Sequence, residues 1–246
     1  ITGASSGIGF AIAESFLKEE AKVCIVSRGS SALYKSEEKL QKTYGLKSAI
    51  AFKCDCTKVQ SLTELRKKVD KKLKSLDIVV VNVGDGRSVA DALPSDENWK
   101  DVWNSNFESA LQTARTFLPM LKKSSGCLLF ISSITGLEAF GAPTDYSTAK
   151  AAVIALSKNM ARKLALSVRV NVILPGNVYF EGGSWYEKMQ KDKKLVKKLI
   201  KSTVPMNRFA TPNEIADSAV FLCSEKASFI TGASLIIDGG QTVGMS

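Results

Sequence analysis

Along the whole chain of 246 residues, short runs rich in β-branched and apolar residues alternate with longer segments of helical periodicity. The predicted strands are Lys22–Ser27, Ser48–Phe52, Asp77–Val81, Cys127–Ile131, Val168–Leu174 and Ser234–Ile237. The predicted helices are Ile8–Glu20, Ala32–Tyr44, Val59–Lys74, Asn98–Lys122, Ser147–Leu164 and Pro212–Cys223. This alternation predicts one α/β domain over residues 1–246, in which a doubly wound parallel sheet carries helices on both faces. Such sheets bind ligands at the carboxyl ends of their strands, so we expect the functional site there.

The sequence opens with Ile1-Thr2-Gly3, which already has the character of a turn between a strand and a helix. A doubly wound sheet has a central strand in front of this turn. We therefore expect the natural chain to begin several residues before Ile1, with the first central strand upstream of residue 1.

The composition argues against nucleic acid and membrane as partners. Lysine and arginine (34) exceed aspartate and glutamate (24), which gives a net charge of +10. The lysines are spread over predicted helix faces, as in residues 66–74 and 191–201, without the interleaved aromatic residues of a single-strand binding surface. No apolar run reaches the roughly 18 residues of a membrane span, and no segment has the pattern of a secretion signal. We expect a cytoplasmic protein that acts on a small molecule.

The chain contains no histidine, which excludes Ser-His-Asp and Cys-His catalysis and removes the commonest transition-metal ligand. The five cysteines are odd in number and lie mostly in apolar runs, so we expect all of them to be reduced. The single residue between Cys54 and Cys56 is poor spacing for zinc. No metal site is predicted, and acid–base chemistry must come from another side chain with a shifted pKa.

A glycine-rich turn at residues 2–9 has the spacing T-G-x-x-x-G-x-G and leads into an amphipathic helix. Glycines allow a tight turn and a close approach of the backbone to a diphosphate, while the free N–H groups of the helix start face the anion. The predicted phosphate contacts are Gly3, Ser5, Ser6, Gly7, Ile8 and Gly9. This turn resembles the phosphate turn of the short-chain dehydrogenase/reductase family, and the resemblance implies a Rossmann fold.

The residues after the next strand indicate which cofactor binds. Dinucleotide folds that select NAD carry an acidic residue about 20 positions after the glycines. In this chain the corresponding position, 18 residues after Gly9, holds Ser27, a hydroxyl in place of the acid. Arg28 follows, and a guanidinium can bind a 2′-phosphate through paired, charge-assisted hydrogen bonds. The sequence therefore favours NADP(H), with Ser27 and Arg28 as ligands.

The resemblance implies further cofactor contacts at the ends of later strands. It assigns Asp55 to the adenine amino group, adds Cys56 beside it, and matches Asn82 and Gly84 to the family's N-A-G element near the adenine ring. Two departures occur here, because Val81 replaces a second asparagine and Val83 replaces the alanine.

Further along, Pro175, Gly176 and Val178 resemble the segment that lines the nicotinamide face in this family. Phe180 stands where the family normally has a threonine near the nicotinamide carboxamide. The resemblance then leaves nicotinamide orientation to backbone contacts such as that of Val178.

Tyr146 and Lys150 lie four residues apart at the start of a predicted helix, so they share one face. A phenol has an ordinary pKa near 10, and a neighbouring ammonium lowers it towards the range useful for acid–base catalysis. The resemblance assigns Tyr146 as the catalytic acid and base and Lys150 as the residue that tunes it and binds the nicotinamide ribose. In the same way it assigns Ser133, thirteen residues before Tyr146, to polarise the substrate carbonyl, with Ser132 as the alternative.

The resemblance also matches Asn106 to the asparagine that interrupts the family's fourth long helix and holds a water linking the lysine to solvent, with Asn104 as the alternative. Residues 181–204 are expected to form a substrate lid with many lysines. The matches extend from Thr2 to Gly240. They imply an NADP(H)-dependent enzyme that interconverts a carbonyl and an alcohol and assembles as a homotetramer or homodimer through the helices at 98–122 and 147–164. Two alternatives stay open: a 3-oxoacyl-carrier-protein reductase, whose acidic carrier would suit a basic lid, and a non-catalytic NADP-binding relative.

Overall fold

The computed structural model describes residues 1–244, in which six strands and nine α-helices alternate. The strands are β1 (Val23–Ser27), β2 (Ala49–Lys53), β3 (Ile78–Val81), β4 (Cys127–Ile131), β5 (Arg169–Pro175) and β6 (Ser234–Ile237). The helices are α1 (Gly7–Lys18), α2 (Ser30–Tyr44), α3 (Val59–Leu73), α4 (Asp96–Trp103), α5 (Ser109–Ser124), α6 (Thr144–Leu164), α7 (Ser184–Lys191), α8 (Lys193–Thr203) and α9 (Pro212–Cys223).

All strand pairs are parallel, with β1 beside β2 and the order β3-β4-β5-β6 in the second group. Residues 1–4 lie between the two groups. The Thr2 N–H donates to the carbonyl of Val80 at 3.0 Å, and the Val26 N–H donates to the carbonyl of Ile1 at 3.0 Å. This segment lies between β1 and β3, where the end of the expected first central strand would lie, and this placement fits the order of a doubly wound sheet.

Helices cover both faces of the sheet, as the alternating sequence predicts. On one face α1, α2 and α9 bury side chains such as Ile12, Leu33 and Ile215, each fully inaccessible to solvent. On the other face α3, α5 and α6 pack through residues that include Leu62 and Phe117. Each such buried side chain contributes about 2 kcal/mol through removal of apolar surface from water.

Two helix boundaries that bear on the site differ from the sequence prediction. The predicted helix Asn98–Lys122 is two α-helices, α4 and α5, joined by a π-helical stretch at Asn104–Glu108. The helix predicted to begin at Ser147 begins at Thr144 instead, with Pro143 at the N-cap position and the acidic Asp145 in its first turn. Tyr146 and Lys150 therefore both lie within its first two turns.

Helices α7 and α8 form a pair within the expected lid. Val196, Ile200 and Val204 form a small separate core against Trp185 and Met189. The pair thus has its own apolar cluster, apart from the two cores that flank the sheet. None of the helices in residues 1–244 is both long and apolar enough to cross a membrane.

Candidate active site

A cavity of about 710 Å³ opens at the carboxyl ends of the strands. The segments that follow β1, β2, β3, β4 and β5 all contribute to its wall, at residues 27–29, 54–57, 82–87, 132–135 and 175–178. The start of α1, the first turns of α6 and the lid helices complete the wall. This is the location that the parallel sheet predicts for a ligand.

The cavity wall includes every residue that the sequence analysis assigns to the site except Gly7, Gly9 and Asn106. These three lie directly behind the wall. A Cβ added at Gly7 would lie 2.6 Å from the ring of Phe180, and one at Gly9 would lie 2.4 Å from the carbonyl oxygen of Gly3. Both glycines are therefore required by close packing of the turn.

The glycine-rich turn leaves the N-terminus of α1 open towards the cavity. Gly3 and Gly7 have positive φ angles of 65° and 57°, which favour glycine at both positions. The side chain of Ser6, the N-cap of α1, makes no capping hydrogen bond, so the first N–H groups of the helix are available to an anion. Asn82 holds the turn in place, because its Nδ2 donates to the carbonyl oxygens of Thr2 and Gly3, both at 3.1 Å.

One end of the cavity carries Ser27, Arg28 and Asp55. Arg28 is exposed, and the Ser27 hydroxyl donates to the carbonyl of Gly29 at 3.0 Å. Burial alone would raise the pKa of Asp55, but two hydrogen bonds from Thr57 and the charge of Arg28 outweigh it and lower that pKa. This end therefore offers an ionised carboxylate and a guanidinium, with a hydroxyl where NAD-selecting folds have an acid.

The other end holds Tyr146, Lys150 and Ser133. The ammonium of Lys150 lies 5.6 Å from the centroid of the Tyr146 ring, and its Nζ donates to the carbonyl of Ile131 at 3.4 Å. Lys150 is buried with 4% of its surface exposed, whereas Tyr146 is half-buried at the cavity wall. The structure therefore brings together the three side chains that the resemblance assigns to the chemistry.

The pKa values of the two residues differ from the sequence expectation. Burial raises the pKa of Tyr146 to about 12; a hydrogen bond with Ser133 opposes this rise, and the charge of Asp85 adds to it. Burial lowers the pKa of Lys150 to about 8. The net pKa of Tyr146 is therefore raised and not lowered, because desolvation dominates, and stabilisation of its phenolate by Lys150 stays a prediction.

The two candidate serines have different partners. Ser132 donates its hydroxyl to the carbonyl of Lys150 at 2.8 Å, which ties β4 to α6. Ser133 accepts hydrogen bonds from the backbone N–H of Thr135 at 3.2 Å and from its hydroxyl at 3.0 Å. The Ser133 hydroxyl proton is not used in these contacts and can be donated to a ligand beside Tyr146.

Asn106 lies in the π-helical stretch and is buried, with 1% of its surface exposed, whereas Asn104 is exposed. The Asn106 Nδ2 donates to the carbonyls of Asp85 and Val102, and its Oδ1 accepts from the Asp85 N–H at 3.1 Å. A Cβ added at Gly84 would lie 2.7 Å from both Asn106 Oδ1 and Lys150 Nζ. The absence of a side chain at Gly84 lets the loop after β3 close over these two groups.

A buried carboxylate, not identified from the sequence, lies beside Tyr146. Asp145 is 1% exposed, accepts a hydrogen bond from the Ser88 hydroxyl, and accepts the Tyr146 N–H at 2.7 Å. An acid in the first turn of a helix, directly before the candidate catalytic residue, is a signal that could have identified it. Arg87, whose contacts reach residues far away in the sequence, gives no such signal.

Phe180, the departure from the family pattern, packs its ring at the start of α1. Added Cβ atoms at Gly7 and Gly183 would lie 2.6 Å and 2.9 Å from ring atoms of Phe180. The ring therefore lies between the phosphate turn and the beginning of the lid. In place of a hydroxyl, the chain presents an aromatic ring to the cavity.

Comparisons with known proteins agree with this fold and site. The family model for enoyl-(acyl carrier protein) reductase matches residues 3–242. The chain is 35% identical over 253 residues to the uncharacterized oxidoreductase YvrD of Bacillus subtilis. The alignment covers 98% of this chain and 94% of that protein. It is 33% identical to the 3-oxoacyl-acyl-carrier-protein reductase FabG of Chlamydia muridarum, over 98% of this chain and 95% of that one.

Among solved structures, the chain resembles the L-sorbose reductase of Gluconobacter frateurii in its complex with NADPH and L-sorbose. The TM-score is 0.91 at 30% identity, and the match covers 98% of this chain and 94% of the other. Family model, relatives and fold thus agree over nearly the whole length. The chain belongs to the short-chain dehydrogenase/reductase family of oxidoreductases.

Proposed function

We propose that this protein is an NADP(H)-dependent oxidoreductase that interconverts a carbonyl and an alcohol, with Tyr146 as the general acid and base. One observation carries the proposal. The open helix N-terminus and Arg28 lie at one part of a single cavity, and Tyr146, Lys150 and Ser133 line another part of it. A cofactor and a small substrate could therefore meet in the same cavity.

The residues present fit a nicotinamide dinucleotide phosphate. The turn at residues 3–9 offers N–H groups to a diphosphate, and Arg28 offers two donors to a 2′-phosphate with no carboxylate at position 27 to repel it. Asp55, Asn82 and Gly84 would line the adenine side, and Pro175, Gly176 and Val178 the nicotinamide side. When bound, the cofactor supplies or accepts the hydride. The NADPH in the L-sorbose reductase complex supports the same choice.

The chain's own residues would handle the proton and the carbonyl. The Tyr146 hydroxyl, with a pKa near 12, is protonated at neutral pH and can donate a proton to a carbonyl oxygen during reduction. The Ser133 hydroxyl would donate a second hydrogen bond to that oxygen and stabilise the developing negative charge. Lys150 would stabilise the resulting phenolate, because its ammonium lies above the Tyr146 ring.

Asn106 would act behind these groups. Its Oδ1 and Nδ2 fix the backbone of Asp85, and Gly84 lies between it and Lys150. In this position Asn106 would hold the loop after β3 and, as the resemblance implies, a water that replaces, by way of Lys150, the proton that Tyr146 gives to the substrate. The intact set of four residues argues against the alternative of a non-catalytic NADP-binding relative.

A second candidate, reduction of a 3-oxoacyl carrier protein, is favoured by one observation. Helix α8 exposes five lysines: Lys193, Lys194, Lys197, Lys198 and Lys201. A basic helix at the cavity mouth complements an acidic carrier. The similarity to a 3-oxoacyl-acyl-carrier-protein reductase supports the same candidate, whereas the similarity to L-sorbose reductase supports a keto sugar.

We further propose, from the family, a cytoplasmic homodimer or homotetramer assembled through α5 and α6. Light scattering of the purified protein tests the assembly directly. A monomer at working concentration would overturn this part without affecting the proposed chemistry.

The experiment that tests the function follows the loss of NADPH absorbance over a panel of carbonyl compounds, with NADH in parallel. The panel contains acetoacetyl thioesters, keto sugars and simple ketones. Turnover of one class with NADPH well above NADH is the expected result. Tight NADPH binding without turnover of any class would favour the non-catalytic alternative.

A further inference from the structure

Arg87 lies on the loop after β3 and connects this loop to helix α7. Its side chain is about half exposed, as are those of its two acidic partners, Asp85 and Glu187. Every charged donor of the guanidinium is used in these contacts. Arg87 is therefore not free to bind an anionic substrate in this arrangement, although it belongs to the cavity wall.

On the lid side, Arg87 binds Glu187 through two parallel hydrogen bonds. Its Nη2 lies 2.6 Å from Glu187 Oε1 and its Nε lies 3.1 Å from Oε2. The same Nη2 donates to the carbonyl of Gly182 at 3.1 Å. One side chain thus holds both the loop before α7 and the middle of that helix, 95 and 100 residues away in sequence.

On the loop side, Arg87 Nη1 lies 3.0 Å from both carboxylate oxygens of Asp85. The backbone of Asp85 is in turn bonded to the side chain of Asn106 through both its N–H and its carbonyl. Gly86, the residue between Asp85 and Arg87, lies close to the Tyr146 ring. A Cβ added at Gly86 would lie 3.6 Å from Cζ of Tyr146. A continuous set of contacts therefore runs from Glu187 to the candidate catalytic residues.

We propose that Arg87 is a positioning residue that couples closure of helix α7 to the placement of Asn106 and Tyr146. The inference rests on the proposed function, since it gives the lid a role in the reaction of that same site. When Glu187 is bound, the guanidinium holds the loop at residues 84–87 against the π-helical stretch. When the lid opens, this loop loses its outer support.

A planar guanidinium suits this role because it binds two carboxylates in fixed geometry at once, which an ammonium cannot do. The simpler interpretation is a surface ion pair with no effect on the site, since half-exposed pairs are individually weak. The chain offers a matched comparison. Arg208 and Glu214 form a second pair with the same 2.6 Å contact and similar exposure, and neither residue lines the cavity.

The test compares Glu187→Gln, Glu187→Asp and Arg208→Ala with the parent protein. Glu187→Gln keeps the size of an exposed side chain and so preserves folding. The first readout is hydrogen exchange of the amides at 182–191, measured by mass spectrometry without any substrate. We expect exchange to rise about fivefold in Glu187→Gln, less in Glu187→Asp, and not at all in Arg208→Ala.

The second readout is steady-state reduction with NADPH. We expect kcat for the carbonyl to fall about fivefold in Glu187→Gln, because Asn106 and Tyr146 lose their fixed placement. The KM for NADPH should stay unchanged, because Arg28 and Asp55 hold the other end of the cofactor. Partial recovery of kcat in Glu187→Asp is expected, since the carboxylate is retained.

Unchanged exchange at 182–191 in Glu187→Gln overturns the inference, and so does an equal increase in Arg208→Ala. A rise in exchange with kcat unaffected also overturns it, because the pair would then hold the lid without positioning the site. If the parent protein reduces no carbonyl, the proposed function fails, while the exchange measurement still decides whether Arg87 holds the lid.

Discussion

Lys150 is a buried charge, and replacing it should make the protein more stable. Its pKa is lowered by burial from 10.5 to about 8. Each pKa unit corresponds to about 1.4 kcal/mol, so the folded state is penalised by about 3 kcal/mol for holding the ammonium. The hydrogen bond from Nζ to the Ile131 carbonyl is long, at 3.4 Å. We predict that Lys150→Met stabilises the fold by up to this amount at pH 7 and abolishes turnover.

The stabilisation by Lys150→Met should depend on pH. Below pH 8 the lysine is charged in both the folded and the unfolded chain, so the full penalty applies. Between pH 8 and 10.5 the folded chain has lost a proton that the unfolded chain keeps, so the penalty falls as the pH rises. Above 10.5 both states are neutral and the penalty is gone. The advantage of Lys150→Met should therefore shrink through this window.

Urea unfolding of the parent protein and of Lys150→Met, at a series of pH values, measures the effect. Lys163→Met is the matched control, because Lys163 is an exposed lysine near the end of the same helix. It should change the free energy of unfolding by less than about 0.5 kcal/mol at every pH. A Lys150→Met protein that is less stable than the parent at pH 7, or whose difference does not depend on pH, would refute the reasoning.

Three further predictions concern activity. Gly84→Ala adds a Cβ 2.7 Å from Asn106 Oδ1 and Lys150 Nζ, closer than the 3.4 Å at which ordinary contact begins, so kcat should fall about ten- to a hundredfold. Gly86→Ala, whose added Cβ has ordinary contacts, should lower kcat much less. Arg28→Ala should raise the KM for NADPH about ten- to a hundredfold and leave the KM for NADH nearly unchanged. Saturation curves measured in parallel with the two cofactors check this. The pH profile of kcat/KM for NADPH should fall above about pH 8, where Lys150 loses its proton, and Lys150→Arg should remove that limb.

Much of the fold was predictable because its elements are defined by local periodicity. The six predicted strands match β1–β6 to within two residues at each end, and the turn at residues 2–9 begins α1 as expected. The resemblance implies an interruption of the long helix at Asn106, and the π-helical stretch at Asn104–Glu108 lies there. Hydrophobic periodicity alone does not predict it, because five residues are too few to show a period. Within this stretch Asn106 is buried and Asn104 is exposed.

The site was predictable where a motif fixes a residue on an element, as for Tyr146 and Lys150 at the start of α6. Two kinds of property lay outside such reasoning. The contacts of Arg87 with Glu187 join residues 100 positions apart and depend on where the lid packs. The raised pKa of Tyr146 depends on burial, which the spacing of Tyr146 and Lys150 along the helix does not reveal.

The central claim, that Tyr146 supplies the proton in an NADPH-dependent reduction, is tested most directly by Tyr146→Phe. The variant keeps the ring and loses only the hydroxyl, so NADPH binding, measured by the change in its fluorescence, should be retained within about twofold. Single-turnover oxidation of bound NADPH by the best carbonyl of the panel should slow by at least about a thousandfold. Retained binding with that loss is the predicted result, whereas single-turnover oxidation at a rate close to that of the parent protein would contradict the assignment of Tyr146.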